Sequence, residues 1–208
     1  MNKDPKFIVF EGIDGAGKTT QINLLREALE KRGYSCAVTA EPTDLPSGKA
    51  IRRALAKEVD STPLQMAEMF AHDRELHNTD AQVGIEKLLK DGTTVICDRY
   101  YYSSLAYQGT VLGYDTVAAL NLDNPNIRTP DVCIFLDLTP EKSLQRIGAR
   151  GEAVEMYENL DYLTRTRTTF FEIFDKLRQR DEKIAIIDAD GSVEQVSARI
   201  FAAVADIF

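Results

Sequence analysis

Phe7-Ile8-Val9-Phe10-Glu11 runs directly into Gly12-Ile13-Asp14-Gly15-Ala16-Gly17-Lys18-Thr19. The first five residues are short, apolar and rich in Phe, Ile and Val, as buried parallel strands tend to be. The next eight fit the spacing G-x-x-x-x-G-K-[ST], and beyond them Ile22, Leu25 and Leu29 recur at i, i+3 and i+7, the spacing of one helix face. A glycine-rich turn between a strand and a helix is where that motif has mechanical meaning. Glycines let the backbone turn its N–H groups toward an oxyanion, and the helix N-terminus adds positive potential. Lys18 then reaches the outer phosphates, and the Thr19 hydroxyl is placed to ligate Mg²⁺. Gly12, Ile13, Asp14, Gly15, Ala16, Gly17, Lys18 and Thr19 therefore predict a binding loop for a nucleoside triphosphate, ATP or another. The bland account, a glycine-rich turn of no function, leaves the strand before it and the periodic helix after it unexplained.

Outward from this loop the same alternation continues. Further strands are expected at Cys36 to Thr39, Thr94 to Asp98, Val132 to Asp137 and Ile184 to Asp188. A long helical region should run from Pro63 to Lys90, broken near His77 to Asp80. Another apolar stripe passes through Met156, Leu160, Leu163, Phe170, Phe174 and Leu177, and a last one through Val193, Val196, Ile200, Val204 and Ile207. Parallel strands need such crossovers, and right-handed crossovers cover both faces of a sheet. The expected fold is α/β, a three-layer P-loop NTPase fold with a five-stranded parallel sheet and a short lid, in a single domain over residues 1–208. Ligands should bind at the carboxyl ends of the strands.

Composition narrows the function. The 208 residues carry 25 Lys and Arg against 33 Asp and Glu, a net charge of −8, which argues against a surface built to grip nucleic acid. No apolar run approaches the ~20 residues that span a bilayer, and no leader-like segment opens the chain, so the expectation is a cytoplasmic protein with no membrane partner. Cys36, Cys97 and Cys133 are odd in number, far apart and set in apolar runs, which fits small buried side chains better than disulfides or a metal cluster.

The loop alone does not separate switches, motors and kinases. An N-K-x-D guanine-binding stretch is absent from the sequence. The third strand ends in Cys97-Asp98-Arg99-Tyr100, a carboxylate followed by an arginine. Either Asp98 or Asp137 suits the acid that holds Mg²⁺ or its water. An enzyme clamping a second phosphate would need Arg99 beside that acid, whereas a hydrolytic motor has no evident use for it.

Phe10 to Thr19, Glu41-Pro42, Phe70-Ala71-His72-Asp73-Arg74, Asp98-Arg99-Tyr100 with Ser103-Ser104-Leu105-Ala106-Tyr107-Gln108-Gly109, and the segment Arg146 to Glu158 together resemble the thymidylate kinases. The resemblance covers nearly the whole chain, and the D-R-Y-x-x-S-S-x-A-Y-Q-G stretch is its most specific part. It implies transfer of the ATP γ-phosphoryl group to dTMP with Mg²⁺, by a homodimer. It implies that Phe70 stacks on thymine, that Arg74 meets the base edge one helical turn along, and that Arg99 holds the dTMP phosphate. Tyr107 would fill the space of a ribose 2′-OH, Ser104 would hydrogen-bond the base, and Asp14, Glu41, Tyr157 and Glu158 would lie around the acceptor sugar. His72 and His77 are read as surface or packing residues, and Phe70, Arg74 and Tyr107 also suit a core position, a solvated helix charge and a packed aromatic.

Residues of about 146–158 form a glycine-flanked basic segment that reads as a lid. Some thymidylate kinases carry an arginine inside the phosphate loop, where this chain has Gly15 and Ala16, so Arg146 and Arg150 are the candidates to stabilise the transferred phosphoryl group, with Arg150 favoured. Ala40 before Glu41 and Thr43-Asp44 after Pro42 depart from the family pattern. Two rival functions stay open: a kinase for another nucleoside monophosphate or a deoxynucleoside, and a regulatory P-loop switch with no acceptor.

Overall fold

The computed structural model describes residues 4–149 and 160–208. Its sheet has five parallel strands, β1 (Phe7–Glu11), β2 (Ser35–Ala40), β3 (Thr93–Asp98), β4 (Val132–Asp137) and β5 (Ile184–Asp188), in the order β2-β3-β1-β4-β5. β1 lies at the centre; the connection after it runs to β2 on one side, that after its neighbour β3 crosses to β4 on the other, and the crevice at the carboxyl ends of these two strands is where such sheets bind ligands. Phe10 of β1 pairs with Asp98 of β3, so the two strands end level with each other.

Alternation along the strands builds two cores. Phe7 and Val9 of β1 join Val95, Cys97, Cys133 and Phe135 on one face, while Ile8 and Phe10 join Ile96, Val132, Ile134 and Leu136 on the other. The second face is covered by α1 (Lys18–Lys31) and α9 (Val193–Val204), through Ile22, Leu25, Leu29, Val196, Ile200 and Val204. The first face receives α4 (Ile85–Lys90), α5 (Tyr101–Leu112), α6 (Tyr114–Asn121) and α8 (Leu160–Arg178). The α/β three-layer architecture expected from the sequence is thus the one observed.

The differences lie in the details. β2 is an edge strand with Val38 42% exposed, not a fully buried one, and Cys36 on it is only partly covered. The long helical region is two helices, α3 (Pro63–Thr79) and α4, and the break falls over residues 80–84, a little later than expected. Asp80 makes that break: its Oδ1 accepts from the N–H groups of Gln82 and Val83, capping a turn instead of continuing the helix. Three helices had no expectation attached, the short amphipathic α2 (Pro46–Leu55) and α5 and α6, which lack a clear apolar stripe; α7 spans Pro140–Gly148. α3 is nearly uniform in hydropathy around its circumference because polar side chains such as Asp73, Arg74, His77 and Asn78 are buried on it.

Phe174 sits in the α8 face of the first core, fully buried between Phe135, Phe170 and Tyr102. Phe174→Ala should cost about 3–5 kcal/mol. A urea unfolding series checks this, with the midpoint falling at an unchanged slope.

Candidate functional site

The loop between β1 and α1 closes on Gly17, whose φ of 96° places it in the left-handed region open to glycine. α1 then starts with no side chain capping it and no acid in its first turn, so its free N–H groups remain available to an anion. Lys18 is buried and folds back, its Nζ donating to the Gly12 carbonyl at 3.2 Å. Burial pulls its pKa down to about 8, the Arg99 charge adds to the shift, and Asp98, Asp14 and Glu11 oppose it. The Asp14 side chain is exposed; its Oδ1 is paired with Arg99 and lies 4.0 Å from Lys18 Nζ. An open cavity of about 580 Å³ is lined by this loop together with Glu41, Asp98, Arg99 and Ile147.

Arg99 follows the end of β3 and adopts φ 69°, left-handed for a side-chain-bearing residue. What holds it there is Glu11, the last residue of β1, which is fully buried. Glu11 Oε1 accepts from the N–H groups of Tyr100 at 2.9 Å and Ser103 at 3.1 Å, and Oε2 accepts from Ser103 Oγ at 2.8 Å and lies 4.0 Å from Arg99. Burial raises the Glu11 pKa, against the pull of Arg99 and of these donors. The Arg99 guanidinium also donates to Ser103 Oγ at 3.2 Å and Tyr107 Oη at 3.4 Å, and stands 5.7 Å from the Tyr107 ring centre.

The two acids that the sequence left as alternatives differ sharply. Asp137 is gripped by Arg167 through two hydrogen bonds, at 2.6 and 2.9 Å. Asp98 Oδ1 is buried with no hydrogen-bond partner among the described residues, and Asp98 lines the cavity with Thr19. A buried carboxylate oxygen left unpaired beside a hydroxyl on a phosphate-binding loop fits a divalent cation or its water.

On the other side of the cavity, Arg74 is 1% exposed. Its Nε and Nη2 reach Glu41 Oε2 at 2.8 and 2.6 Å, Nη1 donates to Asn121 Oδ1, and Nη2 donates to Ser104 Oγ at 3.2 Å. The Tyr100 ring centre lies 5.2 Å from the guanidinium. Arg74 is therefore no solvated helix charge. Glu41 gives its other oxygen to His77 Nδ1 at 3.0 Å, and His77 Nε2 meets Thr39 Oγ1 at 2.8 Å, whereas His72 is exposed. Asp73, with no exposure, accepts from Thr43 N at 2.8 Å and from the hydroxyls of Thr43 and Ser47 at 2.6 Å, and so fixes the segment after Glu41-Pro42. Phe70, four residues before Arg74, is half-buried and belongs to neither core. Tyr107 is half-buried at its edge with Arg99, and Ser104 is buried beneath it.

Arg146 of α7 lies over the loop, its guanidinium donating to the carbonyls of Ala16 at 3.4 Å and Ala189 at 3.0 Å. Arg150, Tyr157 and Glu158 lie outside the described residues. Glu11, Asp73, His77 as a partner of Glu41, and Asn121 were not anticipated. Only Glu11 carried a visible signal, a charge in an otherwise apolar central strand.

The fold and this cavity define a P-loop nucleotide-binding protein in which an arginine, Arg99, faces the phosphate loop from the neighbouring strand end. The chain belongs to the thymidylate kinase family, whose model matches residues 10–200. It is 39% identical over 204 residues to a probable thymidylate kinase of Pyrococcus horikoshii, covering 95% of each chain. It is 36% identical over 193 residues to a probable thymidylate kinase of Archaeoglobus fulgidus, covering 93% of this chain and 91% of that one. With a thymidylate kinase of Leptospira interrogans it shares 38% over 176 residues, 84% of each.

Glu11→Ala strands the buried N–H of Tyr100, at about 1–3 kcal/mol, and takes one of two acceptors from the N–H of Ser103, which keeps the Tyr100 carbonyl at 3.1 Å. Stability should fall by a few kcal/mol in urea unfolding, and turnover should fall further than in a core variant of equal instability, because Arg99 loses its support. Turnover that tracks stability alone would contradict this.

Proposed function

We propose that this protein transfers the γ-phosphoryl group of ATP to dTMP, giving dTDP and ADP. One observation carries the reading beyond family membership: a single carboxylate oxygen, Asp14 Oδ1, stands between Lys18 of the phosphate loop and Arg99 of the opposite strand end. Two cations held that close, in a cavity bounded by both segments, suit two anions brought together rather than one nucleotide bound alone. A switch without an acceptor has no use for the second.

In this reading the loop N–H groups and Lys18 hold the β- and γ-phosphates, and Arg99 releases Asp14 to fork onto the dTMP phosphate. An oxygen of that phosphate attacks the γ-phosphorus, the bond from phosphorus to the β–γ bridging oxygen breaks, and ADP leaves with the electron pair. No protein base is needed, since a phosphate monoester with a second pKa of about 6 is already dianionic near neutral pH. Thr19 and Asp98 would hold Mg²⁺, which neutralises charge on the β- and γ-oxygens when bound. Arg146, laid across the Ala16 carbonyl, is placed to add positive charge at the donor side, a role shared with Arg150.

Phe70 stacks on the thymine ring. Arg74, clamped by Glu41, Asn121 and Ser104, would meet the base edge through a guanidinium hydrogen that these partners leave over. Tyr107, drawn against Arg99, crowds the sugar 2′ position, and Glu41 and Asp14 border the acceptor sugar. The exposed apolar side chains Leu55 of α2 and Leu64 and Leu76 of α3 would be covered in a homodimer. Three unpaired cysteines suit the reducing cytoplasm.

With Mg²⁺ present, ADP formation should rise strongly on adding dTMP, less with dUMP, and little with AMP, CMP or GMP. The thymine methyl supplies only about 1–3 kcal/mol of that preference. Equal stimulation by several monophosphates would give a kinase of broader choice, and ATP turnover indifferent to all of them would give the switch. Arg99→Ala should lose at least about a hundredfold in turnover, more than a lowered unfolding midpoint from the lost counter-charge of Glu11 accounts for, and near-normal rates would remove its clamping role.

A further inference from the structure

A phosphate loop binds its ligand through N–H groups, so its carbonyls must point the other way and find partners there. In this chain those partners can be named. The Gly12 carbonyl accepts from Lys18 Nζ, the Ile13 carbonyl from Ala16 N at 3.2 Å, the Gly17 carbonyl from Gln21 N at 3.1 Å, and the Ala16 carbonyl from Arg146. Each of the first three is a bond within the loop and its own helix. The Asp14 carbonyl differs: it accepts from the hydroxyl of Ser143, on α7, 129 residues away in sequence and with no exposure to solvent.

We propose that Ser143 is a positioning residue for the triphosphate, its hydroxyl holding the Asp14 carbonyl away from the cavity so that the N–H of Gly15 faces the anion. The peptide unit joining Asp14 and Gly15 is planar and trans, so its C=O and N–H point in opposite directions, and fixing one fixes the other. Gly15 lines the cavity. Independent packing evidence says that α7 is seated on this peptide and not merely near it. A Cβ built at Gly15 would lie 2.9 Å from the Ser143 carbonyl oxygen, 3.3 Å from Ser143 Oγ and 3.2 Å from Ile147 Cγ1. Gly15 also has φ 76°, a conformation from which a rigid peptide can swing readily once its tie is removed, since glycine occupies both hands of the backbone map with little penalty.

Ser143 touches neither phosphate nor metal, so it acts only through the loop. Its loss should therefore fall mainly on the triphosphate and much less on the monophosphate, which meets this peptide only through the Asp14 side chain. The inference rests on the reading of this loop as the ATP site but not on dTMP being the acceptor.

The test is Ser143→Ala, with ATP and dTMP affinities each measured by calorimetry on the full chain, and with KM for each and kcat from ADP formation. One buried hydrogen bond is worth about 0.5–1.5 kcal/mol, so the ATP dissociation constant and KM should rise about two- to twelvefold. The dTMP dissociation constant should stay within about twofold of wild type, the affinity change of a contact worth under half a kcal/mol. Unchanged ATP affinity would overturn the proposal, and so would equal weakening of both nucleotides, the signature of a merely structural serine. If dTMP fails to bind the wild type while the Ala variant still weakens ATP, the acceptor assignment falls and the role of Ser143 stands. A second variant, Gly15→Ala, forces a Cβ toward the Ser143 carbonyl and should weaken ATP in the same selective manner; dTMP weakened equally would count against the proposal.

Discussion

A carboxylate sealed at the end of the central strand ties the two halves of the site to each other. Glu11 is the residue immediately before the phosphate loop, and its oxygens hold the first turn of α5 and steady Arg99. The end of β1, where the phosphate loop begins, and the exit of β3 are therefore tied through one side chain, not only through the packing of distant helices. Burying an unpaired carboxylate would be prohibitive, and three hydrogen bonds with an arginine at 4.0 Å are what make the position tolerable. The same arrangement explains why Arg99 can persist at a positive φ, since the neighbouring N–H groups of Tyr100 and Ser103 are already committed to Glu11.

The cluster around Arg74 follows the same logic on a larger scale. Arg74 is fully buried, and Glu41, Asn121, Ser104 and the Tyr100 ring surround it on separate elements. A long flexible cation becomes a rigid donor only when nearly all its hydrogens are occupied, and the remainder then points in one direction. Asp73 does the corresponding work for the backbone by pinning Thr43 and Ser47. These are costly groups to bury, and their concentration on α3 is why that helix shows no apolar stripe.

That concentration also marks the limit of what the residues disclosed. Strand positions and the phosphate loop were legible because hydrophobic runs and glycine spacing are local signals, and the sheet follows from them by chain-crossover rules. α5 and α6 were not, because their buried faces include Ser104 and Asn121, which satisfy partners far away in sequence. The choice between Asp98 and Asp137 was likewise invisible. It turns on whether Arg167, thirty residues beyond one of them, reaches it. Glu11 could have been noticed as a charge among apolar neighbours, but its partners Tyr100 and Ser103 lie on another strand's exit.

The seat of α7 against Gly15 has an evolutionary corollary. An arginine at position 15 of this chain would need a compensating shift of the loop or of α7, because its Cβ would come 2.9 Å from the Ser143 carbonyl oxygen. Such a replacement is tolerated only together with a second change in loop or helix, a barrier of epistasis rather than of chemistry.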